Sequence, residues 1–252
     1  VSEPDFDWPG FDWAVTNIGN ASVLIQVDDA VVLTDPFFGR SRGISDIAAL
    51  DPTGVPMLTA VVGSHWAQDH WEIDLLENYP HRQTTAVYVA DESMAESARA
   101  AGFRHVETLT WGERRRLTAT VELEVVPEHV AADGMRTNNY AINSSRARVF
   151  FGGEVLDVDA VTNYALSTTG FDVAIGPVNG VVFKGRQLVT TAAEMAKIAR
   201  ALGATRLIPI HDGHQPFEGL VDVTSSSADL DGLDLGGLEV VTLAPGQRFA
   251  AV

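Results

Sequence analysis

Ser64-His65-Trp66-Ala67-Gln68-Asp69-His70 is the stretch on which the reading of this chain turns. The apolar run Leu58-Thr59-Ala60-Val61-Val62 enters it through Gly63 and predicts a buried strand. After it, Trp71, Asp74, Leu75 and Asn78 recur at helical spacing and predict a helix. His65, Asp69 and His70 therefore stand where a strand turns into a helix. Two imidazoles and a carboxylate at the mouth of a sheet make the beginning of a metal site. Histidine pairs beside an acid are common, so the pattern needs support from elsewhere in the chain.

Composition narrows the chemistry. The chain has 252 residues, 46% hydrophobic and 20% charged, which suits a folded domain with a substantial core and excludes a disordered chain. We read residues 1–252 as one domain, with residues 1–14, rich in aromatics at Phe6, Trp8, Phe11 and Trp13, as an N-terminal arm. A net charge of −17 disfavours nucleic acid and anionic membrane as partners, though acidity alone names none. Cysteine is absent, so any metal must be held by His, Asp or Glu. Apolar runs fall short of the ~20 residues that span a bilayer. The opening Val1-Ser2-Glu3-Pro4-Asp5 lacks a basic region and an apolar signal core, so the expected location is cytoplasmic.

Outward from the central stretch, Ser22 to Val27 and Ala30 to Thr34 predict a hairpin turning at Asp28-Asp29. Pro36 stops the second strand and leaves Asp35 at its end. Ala86 to Ala90 predicts a strand, and Ser93 with Glu96 a capping box for a helix ended by Gly102. Val106–Leu109, Arg115–Leu117 and Val121–Val126 are short strand candidates, and Asn139–Asn143 with Val149–Phe151 predicts a second hairpin. Asp172 to Ile175 is a further strand, and Thr191 with Glu194 caps a helix from Ala192 to Leu202. Leu207 to Ile210 is a strand carrying His211 at its end, and Leu238 to Leu243 is the last.

Four places share one feature: a metal-capable residue directly after an apolar strand. They are His65 with Asp69 and His70, His129 after Val125-Val126-Pro127, Glu154 after Phe150-Phe151-Gly152-Gly153, and His211 after Leu207-Ile208-Pro209-Ile210. Strand ends in a layered sheet point the same way, so residues far apart in sequence can converge. In this order the motifs resemble those of the metallo-β-lactamase superfamily, and most of all its lactonase-like, metal-dependent hydrolase branch, which includes ascorbate-6-phosphate lactonase. The likeness runs from about Asn17 to Val252 and takes in Gly19 to Ile25, Leu33 to Pro36, Ser64 to His70, His129, Gly153-Glu154 and Pro209 to His211.

The resemblance implies an α/β fold of the αββα sandwich type with two metal positions at the sheet edge. One position would use His65 and His129, the other Asp69, His70 and His211, with Glu154 in place of the bridging aspartate. Ala67 stands where the family has its second histidine, and Glu154 is one methylene longer than the usual acid. These departures imply one well-held divalent ion (zinc, manganese or iron) and a weakened second position. The expected activity is hydrolysis of a small-molecule lactone, ester or phosphoester, with Asp69 or Asp35 accepting the proton of a metal-activated water; the resemblance equally allows Asp35 to lie behind the ligands and orient a ligand histidine. Non-hydrolytic metal chemistry at a modified site and a non-catalytic binding protein on the same fold remain the alternatives. Lys184, Arg186 and Tyr140 are candidate substrate contacts, while His214 reads as an exposed loop histidine.

Overall fold

The computed structural model describes residues 11–40, 43–45, 48, 50–128, 135–155, 157–168 and 170–251. Two large sheets dominate. The first contains β1 (Trp13–Gly19), β2 (Ser22–Val27), β3 (Ala30–Thr34), β4 (Ala60–Gly63), β5 (Ala86–Val89), β6 (His105–Thr108) and β17 (Arg248–Ala251), in the order β17-β1-β2-β3-β4-β5-β6. The second contains β7 (Arg114–Arg116), β8 (Glu122–Val126), β9 (Asn139–Asn143), β10 (Arg148–Gly152), β11 (Val173–Pro177), β14 (Arg206–Ile210) and β16 (Glu239–Val240), in the order β16-β14-β11-β10-β9-β8-β7. A small third sheet joins β12 (Val181–Phe183), β13 (Arg186–Gln187) and β15 (Val221–Val223). The helices are α1 (Glu92–Ala100), α2 (Val158–Ala165) and α3 (Ala192–Ala201).

Strand periodicity sorts the apolar residues into three layers. In β4, Ala60 and Val62 face the second sheet, while Val61 faces α1 with Trp71 and Met94. In β10, Val149 and Phe151 enter the same inter-sheet core, while Phe150 packs outward with Val161 of α2 and Met195 of α3. One core lies between the sheets and each outer face is covered by helix. This is the αββα sandwich expected from the sequence.

Several local expectations need correction. The helix after the central stretch is a single 3-10 turn, Ile73–Leu76. Glu72, just before it, turns its buried carboxylate back to accept the backbone N–H groups of Phe38 and Arg40. The α1 cap is Asp91, whose side chain accepts from Met94 N; Ser93 lies inside the helix. The Thr191–Glu194 capping box of α3 is present as read. Two strands went unread: β1 begins at Trp13, within the segment taken as an arm, and pairs with β17. Helix α2 and the third sheet also went unread. Residues 1–10 of the arm lie outside the described residues.

The topology aims one edge of the molecule at a common point. β3, β4 and β5 run parallel, as do β10, β11 and β14. Their C-terminal ends deliver Asp35, Ser64-His65, Gly153-Glu154, Asn179 and His211 to one side. Tyr140 is not part of that edge. It is fully buried in the inter-sheet core, and its hydroxyl donates to the Gly63 carbonyl at 2.7 Å, so it ties the sheets together and does not touch substrate. Tyr140→Phe is expected to lower unfolding stability by about 1 kcal/mol in urea titration, by leaving that carbonyl with one fewer donor. Metal content should be unchanged.

Candidate metal centre

Asp35 is the hinge of the site. It sits directly after β3 with φ of +34°, a left-handed conformation that a non-glycine residue keeps only when its surroundings hold it. Its carboxylate is fully buried. Oδ1 accepts the Ser64 N–H at 2.6 Å, and Oδ2 accepts the Ser64 hydroxyl at 2.6 Å and faces His70 Nδ1 at 2.8 Å. Gly153 has to be glycine here, because a Cβ would lie 2.1 Å from Asp35 Oδ2 and 2.5 Å from Ser64 Oγ.

These contacts fix which nitrogen of each ring carries a proton. Asp35 Oδ2 already acts as an acceptor toward Ser64 and, as a carboxylate oxygen, has no hydrogen to give, so His70 Nδ1 holds the hydrogen and Nε2 points its free valence into the site. Ser64 spends its only hydrogen on Asp35, so His65 Nδ1, at 2.9 Å, must donate to the hydroxyl oxygen. His211 Nδ1 faces the Asn179 side-chain oxygen at 3.2 Å, with the same result. Three Nε2 atoms are thereby turned to one place, the arrangement that supporting hydrogen bonds give to metal-ligating histidines.

What they face is acid or one another. His65 Nε2 lies 2.8 Å from Glu154 Oε2, and His70 Nε2 lies 2.9 Å from His211 Nε2. Asp69 Oδ2 is 3.4 Å from His70 Nε2, 3.6 Å from His211 Nε2 and 3.1 Å from His214 Nε2. Lone pairs in such contact call for a positive charge between them. Donor atoms of His65, His70 and Glu154 cluster within 4.8 Å of one another, and so do those of Asp69, His211 and His214.

Without a metal, a proton meets part of that demand. Burial drives the His70 pKa down, but the Asp69 carboxylate and the bond to Asp35 outweigh it and raise the value to about 9. Burial and the neighbouring His214 push His211 the other way, to about 4. The Asp69 carboxyl is raised by burial, yet the charge of His70 and the bonds from His211 and His214 hold it well below the usual carboxylate range. Burial pushes the Glu154 carboxyl up, but the charge of His65 and the bond to it, with the charges of His70 and His211, together hold it below its usual value.

The residues singled out in the sequence fare unevenly. His65, Asp69, His70, Glu154 and His211 come together. His129 lies outside the described residues. Asp35 is buried behind the histidines, which makes it a positioning residue and corrects the expectation that it accepts a proton on the substrate side. Lys184 and Arg186 sit on the β12–β13 hairpin, exposed, and among the described residues neither forms an ion pair or side-chain hydrogen bond with the cluster. Ser64, Asn179, Asn20 and His214 were not assigned roles from sequence. Asn20, at the β1–β2 turn, donates to the Asp69 backbone carbonyl at 2.9 Å. Their only signal was adjacency: Ser64 beside His65, and His214 three residues after His211.

Residues 31–211 match the β-lactamase superfamily domain. The chain belongs to the metallo-β-lactamase superfamily. Comparison with curated proteins finds no match. Among solved structures, a metallo hydrolase from Ignicoccus hospitalis is 17% identical, with TM-score 0.70 over 94% of this chain and 97% of the other. An isothiocyanate hydrolase from Delia radicum gut bacteria is 15% identical, with TM-score 0.74 over 95% and 100%. CmlA, a diiron β-hydroxylase from Streptomyces venezuelae, is 16% identical, with TM-score 0.69 over 96% of this chain and 54% of that one. At such identities the likeness is one of fold.

The raised His70 pKa has a pH consequence for the metal-free protein. Its stabilising contribution is complete below the unfolded histidine value of ~6.5 and is lost as pH rises through about 9. The thermal midpoint of chelator-treated protein should therefore fall across that window, and His70→Gln should flatten the fall. Gly153→Ala is expected to displace Asp35 or Ser64 and so to reduce metal retention during dialysis, measured by elemental analysis.

Proposed function

We propose that this chain is a metal-dependent hydrolase of a small-molecule lactone, ester or phosphoester, of the lactonase-like kind, holding a divalent ion among His65, Asp69, His70, Glu154 and His211. The observation that carries this reading is the set of three Nε2 atoms, each with its proton committed to the far nitrogen, facing two carboxylates and one another. Such a donor set suits zinc, manganese or iron alike.

A bound divalent ion lowers the pKa of water from ~15.7 towards ~7 and polarises a carbonyl or phosphoryl oxygen. The protein's own contributions are distinct. Asp35 holds His70 directly and His65 through Ser64, and Asn179 holds His211, so the rings need not reorganise on binding. Asp69, with its side chain 22% exposed, is the carboxylate at the open side of the cluster and is placed to accept a hydrogen bond that orients an incoming water. We read residues 1–252 as one domain, in which both sheets build this site.

Ala67 favours a second reading. Its carbonyl accepts the His70 and Trp71 amides and so shapes the turn, but its side chain offers no donor where the family has a histidine. A centre short of one imidazole has a coordination position to spare, which suits bidentate substrate binding or non-hydrolytic chemistry.

Elemental analysis of purified protein, then of His70→Ala and Ala67→His, tests the first reading. The parent should hold about one ion per chain, His70→Ala should lose it, and Ala67→His should move towards about two. Ester and phosphoester turnover abolished by chelation and restored by metal completes the case. A parent that stays metal-free after reloading would leave only a binding protein on this fold.

A further inference from the structure

We propose that His214 is a metal ligand, acting with Asp69 and His211 on the side of the centre away from Glu154. The inference rests on reading the cluster as a metal centre, and adds a donor that the strand-end motifs do not contain. His214 belongs to no strand end. It is placed by the backbone: His211 takes φ of +62°, and the chain folds back through Asp212 and Gly213. The two imidazoles then stack face to face, with centroids 4.3 Å apart and planes 20° from parallel.

The loop is held where it is. Asp212 Oδ2 accepts the Ser227 N–H at 3.1 Å, and the Ser45 N–H and hydroxyl both donate to the Gly213 carbonyl, at 2.7 and 3.0 Å. Gln215 N–H donates to the Gly43 carbonyl at 2.8 Å, and Ile44 bridges to His214 itself. His211 N–H is taken by the Asn20 carbonyl at 3.0 Å, while the Asn20 side chain holds the Asp69 backbone. The result is one carboxylate oxygen and two imidazole nitrogens within 4.8 Å, on elements fastened to one another. The centre thus lacks a donor at position 67 and gains one at position 214.

The competing role is a hydrogen bond alone, His214 Nε2–H to Asp69 Oδ2 at 3.1 Å. Cobalt(II) distinguishes the two, because its visible bands report the atoms bound to it. The parent, His214→Ala and His214→Gln are each stripped, reloaded with cobalt(II) alone, and examined by absorption and by competition with a chelator. Glutamine keeps an N–H for Asp69 but replaces the imidazole. Both variants are expected to change the cobalt bands and to bind more than ~100-fold more weakly, beyond the ~10–100-fold typical of removing a group that only supports a ligand. Bands unchanged in either variant, or glutamine restoring the parent's affinity, would overturn the inference while leaving the metal centre intact. A parent that takes up no cobalt would overturn both.

Discussion

The central loop and two of the three inward-facing histidines depend on the Asp35 carboxylate. Three groups converge on it, two from Ser64 and one from His70, and none is exposed to solvent. A buried carboxylate is costly unless its lone pairs are satisfied. Here the satisfying partners are the backbone of the central loop and a ring nitrogen, so the cost of burial is offset by orienting the donors. Because Ser64 passes the constraint on to His65, one acid sets the tautomer of two histidines. The left-handed backbone at Asp35 and the missing side chain at Gly153 are the local strain and space that let the acid reach this position.

The strand framework was legible in the sequence because β-branched runs bounded by Gly, Pro and Asp report strands directly. The motif residues at strand ends were legible for the same reason: a strand has a definite end, and parallel neighbours end together. Tyr140 misled because the sequence shows a polar aromatic near a motif without showing which side of β9 faces the other sheet. The helix predicted after His70 failed for a tertiary reason, since Glu72 is drawn back onto the 38–40 backbone and the segment closes as one 3-10 turn. Helix α2 is short, and β17 depends on a partner more than two hundred residues away, neither of which leaves a local pattern.

The supporting shell of the site was harder to read than its donors. Ser64, Asn20 and Asn179 are small polar residues of a kind common in loops, and their role exists only through distances set by folding. His214 is the sharpest case. Three residues past the strand-end His211, it looks solvated until the left-handed turn at His211 sets the two rings against each other. Side-chain chemistry can be read from a sequence, but which nitrogen is free cannot.

The spacing of the donors along the chain bears on how the molecule is made. His70 and His211 meet across 141 residues, and one comes from each large sheet. Contacts of such separation form only after much loop entropy has been lost and both sheets have their order. Neither half of the chain contains the facing nitrogens, so a nascent N-terminal half offers a metal only scattered ligands. The centre therefore requires both sheets to be in place.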